Sequence, residues 1–245
     1  MRNLVFVTLA VLAIGQPAVA QNVTGYGSMP DPTLFLLREP AIHQALRLSD
    51  QQKRELIAFN DRYDGTLLST RNQPGDVSQP KLSQVFQKTR EHVVASFSPA
   101  QQQRLRQIMY RLRGISFVLL PSPKSKLELS EEQVATIETA VKDSLKKISD
   151  VQSPTFQGKE AFEETQRVVM AARKEEYETI LNTLSAVQKQ TLNELVGPNF
   201  NTSLLGKVSF KAPDLLGGTE WINSTPLTLE ELKGKVVALH FWAFG

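Results

Sequence analysis

Leu46-Arg47-Leu48-Ser49-Asp50-Gln51-Gln52 is the stretch that decides how most of this chain folds. A serine followed three residues later by glutamine has the form of a capping box. The hydroxyl accepts from the amide of the third helical residue, and that residue's side chain returns to the serine amide. The phrase recurs at Ser98-Pro99-Ala100-Gln101, Ser130-Glu131-Glu132-Gln133 and Ser185-Ala186-Val187-Gln188. Pro99 falls at the first helical position, where its missing donor is harmless. Apolar residues then follow at steps of three and four, which places them on one helix face. Gln52 leads to Leu56, Phe59 and Tyr63; Gln101 to Leu105, Ile108, Met109 and Leu112; Gln133 to Ile137, Val141, Leu145 and Ile148; Gln188 to Leu192 and Leu195. Four helix starts are predicted.

The boxes also alternate in context. Leu46-x-Leu48-Ser49 and Leu127-x-Leu129-Ser130, 81 residues apart, open long helical stretches. Ser98 and Ser185, 87 residues apart, open shorter ones, each preceded by another helical stretch. Breaker-rich segments at 72–80 and 153–158 fall between them. This order predicts a mainly α protein built from a duplicated three-helix unit. Helical unit 1 is placed at residues 46–121 and helical unit 2 at 122–204, with Pro121-Ser122-Pro123 at the junction and Gly197-Pro198 stopping the second. Residues 21–45, rich in Gly, Pro and polar side chains, read as a flexible lead-in.

The chain has 245 residues, 41% hydrophobic, with a net charge of only +3. That length and apolar content suffice for a packed core, and so weak and dispersed a charge argues against nucleic acid as a partner. Residues 1–20 read as a signal peptide. Arg2 is followed by an apolar run from Leu4 to Ile14, and Ala18-Val19-Ala20 forms a cleavage site before Gln21. Such a run is shorter than the ~20 residues that span a bilayer. The expectation is an exported protein, periplasmic or extracellular, with no stable membrane span after signal cleavage. The compartment would permit disulfides, yet there is no cysteine.

No catalytic, cofactor-binding or metal-ligating residue is predicted. His43, His92 and His240 lie far apart, and none has a partner at ligand spacing. No Gly-rich phosphate loop or Gly-x-Ser-x-Gly occurs. Arg104, Arg106, Arg111 and Arg113, with Lys124 and Lys126, form the densest basic stretch. Arg104 and Arg111 share a helix face, which reads as solvated or, in the sharper alternative, as a docking surface for an anionic partner.

From residue 210 the character changes. Phe210-Lys211-Ala212-Pro213-Asp214 is followed by Gly217-Gly218-Thr219-Glu220-Trp221-Ile222-Asn223, then by Pro226-Leu227-Thr228-Leu229-Glu230-Glu231-Leu232-Lys233-Gly234-Lys235-Val236-Val237, and finally Phe241-Trp242-Ala243. In this order the phrases resemble the opening of a thioredoxin-like domain of the redoxin and peroxiredoxin-related kind. Thr228 with Glu231 has the form of a capping box for one helical turn, and Gly234 suits the left-handed residue that ends it. The resemblance implies an incomplete α/β thioredoxin-like segment over residues 205–245, with a central strand from Lys235 to Trp242 and a Cys-x-x-Cys pair that this sequence lacks. Left without its neighbours, such a segment is not expected to fold independently. The Leu-x-Leu-Ser-x-x-Gln phrase is in turn similar to the Leu-Thr-x-x-Gln motif of small helical periplasmic chaperones, with Ser in place of Thr.

Two functional expectations follow. The first is the N-terminal portion of an exported thioredoxin-like thiol–disulfide oxidoreductase, inert as given because it carries no thiol. The second is an exported helical binding or chaperone-like protein with a vestigial redox tail. Protein partners or disulfide substrates are expected in either case, and no cofactor. For the position after Gly245, a fragmentary record or frameshift, a decayed gene, and a UGA codon for selenocysteine remain as alternatives.

Overall fold

A computed structural model describes residues 29, 31–71, 73–151, 159–206, 221 and 223–238. Among these residues there are nine α-helices, two short 3-10 turns and no strand. The helices are α1 (Thr33–Leu36), α2 (Pro40–Ala45), α3 (Asp50–Ser69), α4 (Gly75–Ser96), α5 (Pro99–Arg113), α6 (Pro121–Lys126), α7 (Glu131–Ser149), α8 (Lys159–Thr183) and α9 (Ala186–Val196). The 3-10 turns lie at Ile115–Leu119 and Thr202–Leu204.

All four predicted boxes form. Ser49, Ser98, Ser130 and Ser185 each accept from the amide of the glutamine three residues on, and each glutamine returns to the serine amide. Before two of them the chain makes a Schellman turn. The amide of Arg47 donates to Gln44 and that of Leu48 to His43; Glu128 donates to Ser125 and Leu129 to Lys124. Arg47 (φ 51) and Glu128 (φ 48) take the left-handed conformation that closes such a turn. The Leu-x-Leu-Ser-x-x-Gln phrase therefore encodes the end of one helix and the start of the next.

The glutamines do more than close their own boxes. Gln52 Nε2 donates to Gln101 Oε1 at 3.0 Å, and Gln101 Nε2 donates back to Gln52 Oε1 at 3.1 Å. Gln52 Nε2 also reaches the Ser96 carbonyl at 2.8 Å. In the second half Gln133 and Gln188 exchange the same pair of bonds at 2.8 and 3.0 Å, with further bonds to the Thr183 and Leu127 carbonyls. The start of α5 is thereby held beside the start of α3, and α4 must return antiparallel to α3. α7, α8 and α9 repeat this order.

Two apolar clusters follow. Leu36, Leu37, Ile42, Leu46, Leu48, Leu56, Val93, Phe97, Leu105, Ile108 and Leu112 pack in one, Ile115, Phe117, Val118, Leu127, Ile137, Ile180, Leu184 and Leu192 in the other. Leu145, expected on the inner face of α7, is 50% exposed. The clusters are tied across the halves. Phe200 and Leu205, beyond α9, enter the first cluster, and Tyr110 of α5 stacks on Phe117 of the second at 4.6 Å.

Several expectations need correction. Within the lead-in expected at 21–45, residues 33–45 hold α1 and α2, with Leu34, Leu36, Leu37 and Ile42 fully buried. Pro40 sits at N1 of α2, as Pro121 does in α6, so these prolines start helices and break nothing. The 121/122 boundary cuts through the start of α6, and the 204/205 boundary precedes the buried Leu205. Gly206 beyond it donates to the buried Glu39 at 2.7 Å. Pro80 lies inside α4 in its second turn, where it removes a single intrahelical bond. The signal peptide at 1–20 and the breaker segment at 153–158 lie outside the described residues.

Of the 205–245 segment, residues 207–220, 222 and 239–245 lie outside the described residues. In the described part Thr228 and Glu231 exchange the expected bonds at 3.0 and 3.3 Å, and Gly234 is left-handed (φ 81). Residues 236–238, where the strand was expected to begin, carry no ladder, and Val236 is fully exposed.

Glutamic acid closes a capping box as well as glutamine but cannot donate across the junction. Gln52→Glu and Gln133→Glu should therefore each destabilise by about 1–3 kcal/mol, read as a lower urea midpoint at unchanged slope. An unchanged midpoint would show that the cross-bonds contribute nothing.

Candidate functional site

A cleft of about 420 Å³ lies between α7 and α8. Its origin is a difference between the halves. Shifting α3 by 81 residues and α4 by 87 superimposes the boxes, so that Phe59 corresponds to Ala140, Tyr63 to Ser144 and His92 to Thr179. In the first half these side chains fill the space between the helices. Phe59 contacts Tyr63 and stacks on His92, both at 4.8 Å between ring centroids. In the second half the replacements are small, and Ala140, Ser144 and Thr179 line the cleft.

The cleft is acidic, with alanine methyl groups between its polar side chains. Ser144 is 3% exposed, and its Oγ is buried with no hydrogen-bond partner. A helical serine ordinarily bonds back one turn or points to water. The Glu176 side chain is 3% exposed, and its Oε2 accepts from Arg173 Nη1 at 2.7 Å. At the rim Lys147 pairs with Glu175 between exposed side chains, a contact of little energetic weight. With Asp143 the lining carries three carboxylates and one ammonium. Such a site can recognise a cation, but it holds no nucleophile paired with a base.

The histidines singled out in the sequence are not brought together. His43 Nε2 lies 2.7 Å from the Leu37 carbonyl. His92 stands between Phe59 and Phe97 with its Nε2 buried and unpartnered. His240 lies outside the described residues. Among the described residues no group of His, Asp and Glu has the arrangement of a metal site.

Of the basic stretch, Arg106, Arg113, Lys124 and Lys126 are exposed, while Arg104 and Arg111 are engaged within the protein. Arg104 donates to the carbonyls of Pro198 and Asn199 at 2.9 and 3.3 Å, and Arg111 to those of Gly197 and Pro198 at 3.1 and 3.4 Å. Gln107 on the same face donates to the Glu194 carbonyl at 3.1 Å. Glu194 lies in the last turn of α9 and Gly197 caps it, with Pro198 and Asn199 just beyond, so the donors gather at a helix end where positive charge is favoured. Burial pushes the pKa of both guanidinium groups down, although an arginine stays charged. Burial also raises the hydroxyl pKa of Tyr177, with Arg111 pulling it partly back. Gly197 is left-handed (φ 64), and a Cβ there would lie 2.2 Å from the Gln107 side chain. The pattern of charges alone could not show this, because the partners are carbonyls 86 to 95 residues away. The cleft, by contrast, is visible once the two halves are set in register.

No family model, curated protein or solved structure matches this chain.

Arg111→Glu would set a carboxylate against the carbonyls that end α9. A loss of about 2 kcal/mol or more in unfolding free energy is expected, at low and high salt alike. A stability loss that disappears in high salt would return the residue to a solvated surface role. Gly197→Ala should cost at least about 1 kcal/mol from its backbone conformation and the contact with Gln107.

Burial holds the His92 pKa below its ordinary value, opposed in part by Glu55. As pH falls through about 6.5 the unfolded chain takes up the proton before the folded one. The contribution of His92 is therefore complete above that pH and is lost as pH falls to the depressed folded value. His92→Phe should flatten this part of the stability–pH curve, measured by urea midpoints from about pH 7.5 to about pH 5. An identical slope in both proteins would remove His92 as the cause.

Proposed function

We propose that this chain is the N-terminal portion of an exported thioredoxin-like thiol–disulfide oxidoreductase, with the helical region serving as a partner-binding module ahead of the redox domain. The carrying observation is the ordered set of phrases from Phe210 to Ala243 that resembles such a domain's opening. The exchanged bonds of Thr228 and Glu231 and the left-handed Gly234 support the same local turn. In this reading the helical halves descend from one duplicated unit, which the matched boxes and Schellman turns support.

The chemistry would rest on residues beyond Gly245. A thiol at a helix N-terminus is acidified by the helix dipole, attacks a partner disulfide and is released when a second thiol resolves the mixed disulfide. With no cysteine, the 245 residues cannot carry either step. What they supply is position and partner recognition.

A second reading, favoured by the α7–α8 cleft, is an exported helical binding protein whose terminal segment is vestigial. Reading the nucleotides beyond codon 245 separates the two. The first expects a cysteine or UGA codon, then two codons and a cysteine, within a frame that continues as a thioredoxin-like domain. Expressed through that frame, the protein should reduce a disulfide substrate, while the 245-residue chain should not. A downstream sequence with neither cysteine nor such a frame overturns the first reading in favour of the second.

A further inference from the structure

We propose that the cleft between α7 and α8 binds a primary ammonium group on an unbranched aliphatic chain, the chemistry shared by a lysine side chain and a free aliphatic diamine. The proposal builds on the binding role given to the helical region and does not depend on the redox tail.

Three observations converge on this ligand. The cleft exists because Phe59, Tyr63 and His92 have small counterparts in Ala140, Ser144 and Thr179. Two positions invert their charge relative to the first half in the same register, Arg62 to Asp143 and Lys88 to Glu175, and the neutral Thr89 corresponds to Glu176. Its depth holds a buried hydroxyl with no partner, Ser144 Oγ, close to the level of burial of the Glu176 carboxylate.

Each feature selects for part of the ligand. The lining carboxylates repel anions, and Lys147 is already engaged by Glu175. The methyl groups of Ala135, Ala140 and Ala172 offer an apolar wall for methylenes, as long aliphatic stems seek when their charged end is held elsewhere. A serine oxygen accepts from N–H, and an ammonium has three such donors and no acceptor. The compact ammonium end needs a smaller opening beside the recessed Ser144 than the planar guanidinium fork does. Asp143, which forms no ion pair among the described residues, supplies net negative charge, and Glu176, bonded through Oε2 to Arg173, adds a recessed carboxylate.

The test titrates the 245-residue chain with cadaverine, a five-carbon diamine, and separately with a capped tripeptide carrying one lysine. Backbone amide shifts report where each acts. Saturable shifts confined to 135–147 and 172–179 are expected. Ala140→Phe, which refills the cleft as Phe59 does in the first half, should weaken binding about tenfold or more. Glu176→Gln should weaken it about fivefold or more. Circular dichroism checks that each variant folds, and Ser144→Val carries the same test should Ala140→Phe not fold. Saturation by the diamine alone or by the lysyl peptide alone upholds the site and names its source. The site is disproved by an absence of localised shifts with both probes, by affinity that Ala140→Phe and Ser144→Val leave unchanged, by equal binding of the uncharged five-carbon alcohol, or by shifts that spread over all surface carboxylates and vanish in salt. Failure here leaves the redox reading standing, because that reading is decided by the nucleotides past codon 245.

Discussion

The side-chain amide bridge between paired helix starts, Gln52 with Gln101 and Gln133 with Gln188, is the constraint on which the helical region depends. Apolar burial supplies most of the driving force but has no direction, so it cannot by itself choose how one helix is aligned along another. A hydrogen-bonded amide pair can, because its geometry tolerates only a few tenths of an ångström. Glutamine is the residue for this place. Its oxygen accepts from the serine amide of its own box while its NH2 group donates across the junction and to a carbonyl of the partner helix. Glutamate lacks the donor, and two facing carboxylates would repel. Once both starts are pinned, the intervening helix has to return over the length of the first, and the apolar faces meet in one register.

The halves are joined by the same logic applied to a helix end. At the end of α9 Gln107 of α5 donates to the Glu194 carbonyl and Arg111 to that of the capping Gly197, while Arg104 holds Pro198 and Asn199 just beyond. Gly197 allows the close approach that this seam needs. Beyond the seam Phe200 and Leu205 cross to the first apolar cluster, and Gly206 is fixed to Glu39. The second half therefore completes the core of the first, which a reading of two self-contained units does not anticipate.

How much of this the sequence disclosed follows from range. The four boxes were legible because their bonds join residues three apart, and a Ser-x-x-Gln before apolar residues at helical spacing states that directly. The bridges were not, since Gln52 and Gln101 are 49 residues apart and each glutamine already had a local role. α1 and α2 were hidden by their prolines and their brevity: a helix of four or six residues is too short to show a period. The arginines of α5 were read as surface because charge clustering does not say whether a carbonyl waits opposite. The turn at Thr228–Gly234 was local and readable, while a strand from Lys235 depends on neighbours that short-range patterns do not supply.

The contrast between the long helix pairs makes a final point about cost. In the first half the position equivalent to Glu176 is Thr89, a buried residue whose hydroxyl is satisfied by the Val85 carbonyl of its own helix at 2.9 Å. That choice satisfies the buried hydroxyl within its own helix. The second half keeps the bridges that set register but places a nearly buried carboxylate and an unpartnered serine where threonine and tyrosine stand in the first. Glu176 is engaged by Arg173, whereas the unpartnered Ser144 hydroxyl costs about 1–3 kcal/mol unless something engages it. Departures from the locally stable choice concentrate where a protein uses the strain. His92 Nε2 in the first half is also buried without a partner, but it lies between packed aromatic rings, whereas the Ser144 hydroxyl lines an open cleft.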